Sequence, residues 1–74
     1  MFSWYEPKRK ENWRLRGVDF ADVIGIFDDP HIAESVDPRK DYGEERIQAV
    51  GQTEGIWYFV VYTWRDGARH IITA

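Results

Sequence analysis

Apolar and polar positions alternate at Phe2-Ser-Trp4 as they do in a short strand. Pro7 then suits a first helical turn, a polar segment follows, and Gly17 stands where a helix would be capped, which predicts a helix over residues 7–16. Its apolar content is thin, so it must depend on the body of the domain. Asp19 is placed as the N-cap of a second helix through Phe27, with Phe20, Val23, Ile24 and Phe27 at spacings of three and four. Such a stripe belongs to a core, and Asp28-Asp29-Pro30 stops it.

The second half changes period. Residues 32–36 read as an edge strand, 37–43 as a polar loop, and 44–52 as a strand ending at a Glu54-Gly55 turn. A long strand over 56–65, an Asp66-Gly67 turn and a strand from Ala68 complete the pattern, Asp-Gly between apolar runs being a strong hairpin signal. Together they predict one α+β domain over residues 1–74: two N-terminal helices on one face of a small antiparallel sheet with 56–65 at its centre. That strand is apolar at both alternating positions, so its second face should meet a partner or another copy.

Two-residue type I′ turns would fix the register. Asp66-Gly67 sets Arg65 opposite Ala68, Trp64 opposite Arg69 and Thr63 opposite His70, and Glu54-Gly55 sets Arg46 opposite Thr63. Arg46, Thr63 and His70 then form a row on one face beside Glu44, Arg65 and Gln48, while Ile47, Ala49, Val60, Tyr62 and Ile71 take the other.

With 74 residues, the chain is near the lower limit of independent stability, since a domain this short buries only about 60% of its unfolded surface. An aromatic content of 16% compensates in part. The absence of cysteine excludes disulfide and thiolate chemistry. No apolar run approaches the roughly 20 residues of a membrane span, and no signal peptide opens the chain, so a cytoplasmic protein is expected.

A net charge of −3 argues against indiscriminate nucleic-acid binding. Its distribution is uneven: Lys8, Arg9, Lys10, Arg14 and Arg16 stand against Glu11 over residues 7–16, and nine acids stand against Arg39 and Lys40 over 19–45. The two blocks are compatible with a basic pole for phosphate and an acidic pole for a basic partner, and equally with ordinary solvated faces.

Polar residues able to handle a phosphodiester recur in the second half, and such chemistry requires removal of a proton, stabilisation of charge on phosphorus and a proton for the leaving oxygen. Arginine forks bind phosphate oxygens in two places, and histidine titrates near neutrality. Arg46, Arg65, Arg69 and His70 contain these parts, with Glu44 or Glu45 to orient an arginine or act as base. The same residues also occur as ion pairs in inert sheets, and Trp64 opposite Arg69 can be a plain cation–π contact. His31 and His70 make no metal-binding spacing, no phosphate loop or nucleophile motif is present, and neither metal nor cofactor is expected.

Phe2-Ser-Trp4, Pro7-Lys8, Asn12, Gly17-Val-Asp-Phe20, Phe27-Asp-Asp-Pro30, Tyr42-Gly-Glu-Glu-Arg46, Tyr62-Thr-Trp-Arg65 and His70-Ile-Ile-Thr-Ala74 occur in this order along the whole chain. In them the chain resembles the BrnT family, bacterial ribonuclease toxins of type II toxin-antitoxin pairs with a RelE-like fold. The resemblance implies an mRNA-cleaving, translation-blocking toxin held inactive by a cognate DNA-binding antitoxin. It implies Arg46, Arg65, Glu45 and His70 as catalytic residues, and Lys8 and Arg69 as RNA-binding ones. His70 is expected to be auxiliary, because arginine is usual there in the family.

The chain departs from the pattern at Tyr5, where Asp is common, and at Leu15-Arg16, where Lys-His is common. It also ends at Ala74, where relatives continue into a basic segment and helix. The alternative expectation is therefore a noncatalytic or degenerate interaction module. The antitoxin is expected to meet the acidic stretch 19–45 and the aromatics Trp57, Tyr58, Phe59, Tyr62 and Trp64, with homodimerisation through that patch as the competing outcome.

Overall fold

The computed structural model describes residues 1–38 and 43–74. Arg39, Lys40, Asp41 and Tyr42, which belong to the expected polar loop and to the Tyr42 motif, lie outside the described residues. The order is β1 (Phe2–Trp4), α1 (Glu6–Arg16), α2 (Phe20–Val23) continued by a 3₁₀ segment (Ile24–Asp28), β2 (Ala33–Val36), β3 (Ile47–Thr53), β4 (Ile56–Arg65) and β5 (Ala68–Thr73).

Among the described residues, all strands join one five-stranded sheet in the order β1-β5-β4-β3-β2, with β4 at the centre. The α+β class and the central strand agree with the sequence reading, but the sheet is mixed and not antiparallel. β1 runs parallel to β5, with Phe2 beside Arg69, Ser3 beside His70 and Trp4 beside Ile71. Parallel partners are joined by long connections, which local alternation cannot reveal.

Both hairpins turn as their sequences demand. Glu54 and Gly55 have φ of 52° and 79°, and Asp66 and Gly67 of 51° and 77°. Positive φ at both central positions is the type I′ geometry, whose twist matches that of the flanking strands. Thr53 therefore pairs with Ile56 and Ile47 with Tyr62. Thr63 pairs with His70 and Arg65 with Ala68, as the turn chemistry predicts.

One face of the sheet carries the core, in which Phe20, Val23 and Ile26 pack on Ala49, Val60, Tyr62 and Ile71. The expected stripe of Phe20, Val23, Ile24 and Phe27 does face the core, with Ile24 and Phe27 half-buried against it, and Ile26, which it left out, is fully buried. The cause is the 3₁₀ winding after Val23, whose three-residue period brings positions 20, 23 and 26 onto one line. Two glycines let this segment press on β3. A methyl group at Gly25 would sit 2.9 Å from Thr53 Cβ, and one at Gly51 would sit 3.1 Å from Ile26 Cβ.

Helix α1 does not lie on the sheet with an apolar face. Trp13 and Leu15 are exposed, and its one buried residue is Asn12. The Asn12 amide nitrogen donates to the carbonyls of Val18 and Ala74, both at 3.0 Å. The α1 segment is too polar to be held otherwise, so the expected packing of both helices on the sheet is replaced by polar attachment of α1 at the end of β5. Arg9 adds a second anchor by gripping both carboxylate oxygens of Asp19, at 2.8 and 3.0 Å, so the basic and acidic blocks of the chain meet each other.

Among the described residues, no helix is long and apolar enough to cross a membrane.

Candidate active site

Strand alternation divides the sheet residues between the helix-covered face and an open one. Tyr62, Val60 and Ala49 point to the core, so Ser3, Thr63, Arg65 and His70 point to the open face. There the Ser3 hydroxyl lies 3.0 Å from His70 Nδ1. Neighbouring Thr63 is buried and donates its hydroxyl to the Glu45 carbonyl at 2.7 Å, fastening the segment that enters β3 onto β4. Arg46, one residue before β3, continues the register beside Thr63, and its carbonyl accepts the Asp37 N–H at 2.8 Å.

Arg65 and Glu44 form an ion pair at 2.8 Å on the same face. Glu44 is held below the usual carboxylate range, first by the hydrogen bond from Arg65 and then by the charges of Arg65, Arg46 and His70, against a desolvation penalty. His70 is lowered as well: desolvation and the Arg65 charge push its pKa down, and Glu44 opposes them. The His70 ring is therefore neutral at pH 7, with one nitrogen directed by Ser3.

The structure thus brings Arg46, Arg65 and His70 together with Glu44. Glu45 is exposed and meets the row through its main-chain carbonyl. Lys8 lies on α1 with its ammonium 3.9 Å from Glu11.

Arg69 is on the opposite, core-bearing face. Its guanidinium carbon lies 4.4 Å from the Phe27 ring centre, 4.8 Å from Trp64, 5.5 Å from Tyr62 and 6.0 Å from Phe2. The Tyr62 hydroxyl beside it donates to Glu34 at 2.6 Å, and burial together with that bond raises the phenol's pKa. Tyr62 is therefore core and not part of an exposed aromatic patch, which corrects the expectation for that residue. Tyr58 is half-buried against the same core, whereas Trp57, Phe59 and Trp64 are exposed as expected.

Two contributors had no clear sequence signal. Ser3 joins His70 only through the parallel β1–β5 pairing. Asp29, which reads as part of a helix stop, accepts the N–H groups of Gln52 at 2.8 Å and His31 at 2.9 Å, tying the end of the 3₁₀ segment to β3. Those two bonds, Gln52 first, hold its carboxyl below the ordinary range. Among the described residues, no group of three or more His, Cys, Asp or Glu side chains gathers as a metal site.

A comparison with curated proteins found no match. The family model described as the ribonuclease toxin BrnT of type II toxin-antitoxin systems matches residues 4–74. That span contains Arg46, Thr63, Arg65 and His70 of the open face as well as the Asp29 stitch and Arg69 with three of its four rings. The chain belongs to the BrnT family of ribonuclease toxins.

Proposed function

We propose that this chain cleaves mRNA without a metal, blocks translation by doing so, and is held inactive by a cognate DNA-binding antitoxin. The observation that carries the reading is the neutral, Ser3-directed His70 beside Arg65 and Thr63 on the sheet face opposite the core. Arg46 and Arg65 bind the non-bridging oxygens of the scissile phosphate and offset the charge that grows on phosphorus. With its Nδ1–H directed to Ser3, His70 takes the 2′-hydroxyl proton on Nε2. The 2′-oxygen then bonds to phosphorus as the bond to the 5′-oxygen breaks. A 2′,3′-cyclic phosphate forms, and the 5′-oxygen takes a proton from water. Glu44 orients Arg65 in this scheme, and Lys8 supplies a phosphate contact from α1.

The antitoxin surface is read at the β2 edge, where the acidic Glu34 and the apolar Val36 and Trp64 are exposed. An open edge strand offers unpaired backbone groups, and acidic flanks favour a basic partner.

Purified chain incubated with a defined RNA in excess chelator tests the reading. Cleavage should leave cyclic-phosphate ends and fall by about 10²–10³ for each of Arg46→Ala and Arg65→Ala, the usual loss for one positioned donor. Undiminished cleavage by the folded double variant would remove both arginines from the mechanism. Absence of cleavage by the unmodified chain would favour the noncatalytic module.

A further inference from the structure

The open face continues beyond the polar row. Along β4 the positions that share a side with Thr63 are Val61, Phe59 and Trp57, paired on β3 with Gln48, Val50 and Gln52. Val61 is buried, but Trp57 is 61% exposed, Phe59 47% and Val50 39%. Core packing does not account for them, because Phe20, Val23 and Ile26 lie across the sheet with Val60 and Tyr62. Two large aromatic rings therefore stand on the strand and face that carry Thr63 and Arg65.

We infer that Phe59 and Trp57 are a stacking platform for unpaired bases of a single-stranded RNA whose scissile phosphate lies at the Arg65–His70 end, an inference that rests on the ribonuclease reading. Same-face residues of a strand recur every ~6.8 Å, two rises of about 3.4 Å. That is twice the roughly 3.4 Å step between bases along one strand of a duplex, so the platform suits an extended strand and not a helix. Counting from Thr63, Phe59 stands about 14 Å away and Trp57 about 20 Å, which places the stacked bases outside the reacting nucleotides.

Gln48 and Gln52 flank the rings on β3 and carry amides able both to donate to and to accept from base edges. Charge does not oppose it: Glu34 is turned to the other face by its bond from Tyr62, and the Glu44 carboxylate is paired with Arg65, so neither repels a polyanion crossing the open face as a lone charge would.

A protein covering this face would use its apolar area, whereas bases need the π surface. Replacement of each ring by leucine separates the two. Fluorescence anisotropy would measure binding of a labelled, uncleavable 2′-O-methyl RNA octanucleotide and of the corresponding dinucleotide. Trp57→Leu and Phe59→Leu should each weaken the octanucleotide about tenfold, in keeping with the loss of one base stack, and leave the dinucleotide unchanged. Trp57→Phe should restore most of the affinity.

Octanucleotide affinity that is the same in the leucine variants overturns the platform, whether or not RNA is cleaved. Unchanged RNA binding with lost antitoxin binding assigns the face to a protein and overturns it as well. If the octanucleotide responds as expected but unmodified RNA is not cleaved, the platform stands and the ribonuclease reading fails.

Discussion

Ser3 and His70 meet at 3.0 Å although 67 positions separate them. The contact selects which imidazole nitrogen faces outward, and desolvation keeps the ring neutral at pH 7. Cleavage should therefore rise with pH through a value below 6.5 and be level at neutrality. Ser3→Ala should lower kcat by about tenfold with KM unchanged, less than the roughly 10²–10⁴ that a proton-transfer group itself contributes, because Ser3 only orients one. His70→Gln should abolish the acid limb of the profile. An acid limb that persists in His70→Gln would assign the base to another residue.

The same group links pH to stability. A folded-state pKa below the unfolded value means that the unfolded chain binds more protons in between, so stability is full above 6.5 and declines as pH falls through that window. His70→Gln should flatten this part of a melting-temperature profile.

Asp19 serves α1 and α2 at once. Its carboxylate accepts the Ala21 N–H at 3.0 Å as an N-cap and holds Arg9 at 2.8 Å. The Arg9 bond is the main cause of its lowered pKa, followed by the Ala21 bond. Asp19→Ala should destabilise the chain by about 1 kcal/mol through the lost cap alone. Asp19→Asn should recover the cap without the ion pair. Because the folded pKa is depressed, this contribution is present above pH 3.8 and fades as pH falls through the lower folded value. Denaturant melts at pH 7 and pH 3 would show the variants converging with the parent in acid.

Gly25→Ala should destabilise by about 1–3 kcal/mol, the usual range for overpacking. The added methyl would meet the Thr53 hydroxyl at closer range than Thr53 Cβ, which would be 2.9 Å away. Thr53→Ala removes the hydroxyl and should rescue part of the loss, so a double-mutant cycle should show favourable coupling.

Arg69→Lys should not be neutral. Four rings surround a planar guanidinium that an ammonium cannot replace in shape. Each desolvated cation–π contact is worth up to about 2 kcal/mol, so Arg69→Lys should lower the melting temperature markedly. The folded fraction should keep its turnover, because the open face is untouched. Loss of kcat with an unchanged melting temperature would place Arg69 in the chemistry instead.

The reach of sequence reasoning follows interaction range. Asp66-Gly67 and Glu54-Gly55 act within four residues, so their positive φ values, the register and the Thr63–His70 pair were legible. The Glu44–Arg65 pair followed from the same register. The 3₁₀ winding at Ile24 was not legible, since it depends on how closely Gly25 and Gly51 let the segment approach β3. Nor was the placing of Arg69. Alternation puts it opposite Trp64, but Phe2 and Phe27 reach it only through tertiary packing.

The parallel pairing of β1 with β5 has a consequence for the timing of synthesis. β1 leaves the ribosome first, yet Ser3 has no His70 to meet until β5 has followed it out. Contacts of such long sequence separation form late, because loop closure must precede them. A nascent chain can build the β3–β4 hairpin early and still lack the directed imidazole. The chemistry proposed here would then be withheld from the ribosome that is making the chain, and a catalytically complete fold would appear only after β5 has emerged.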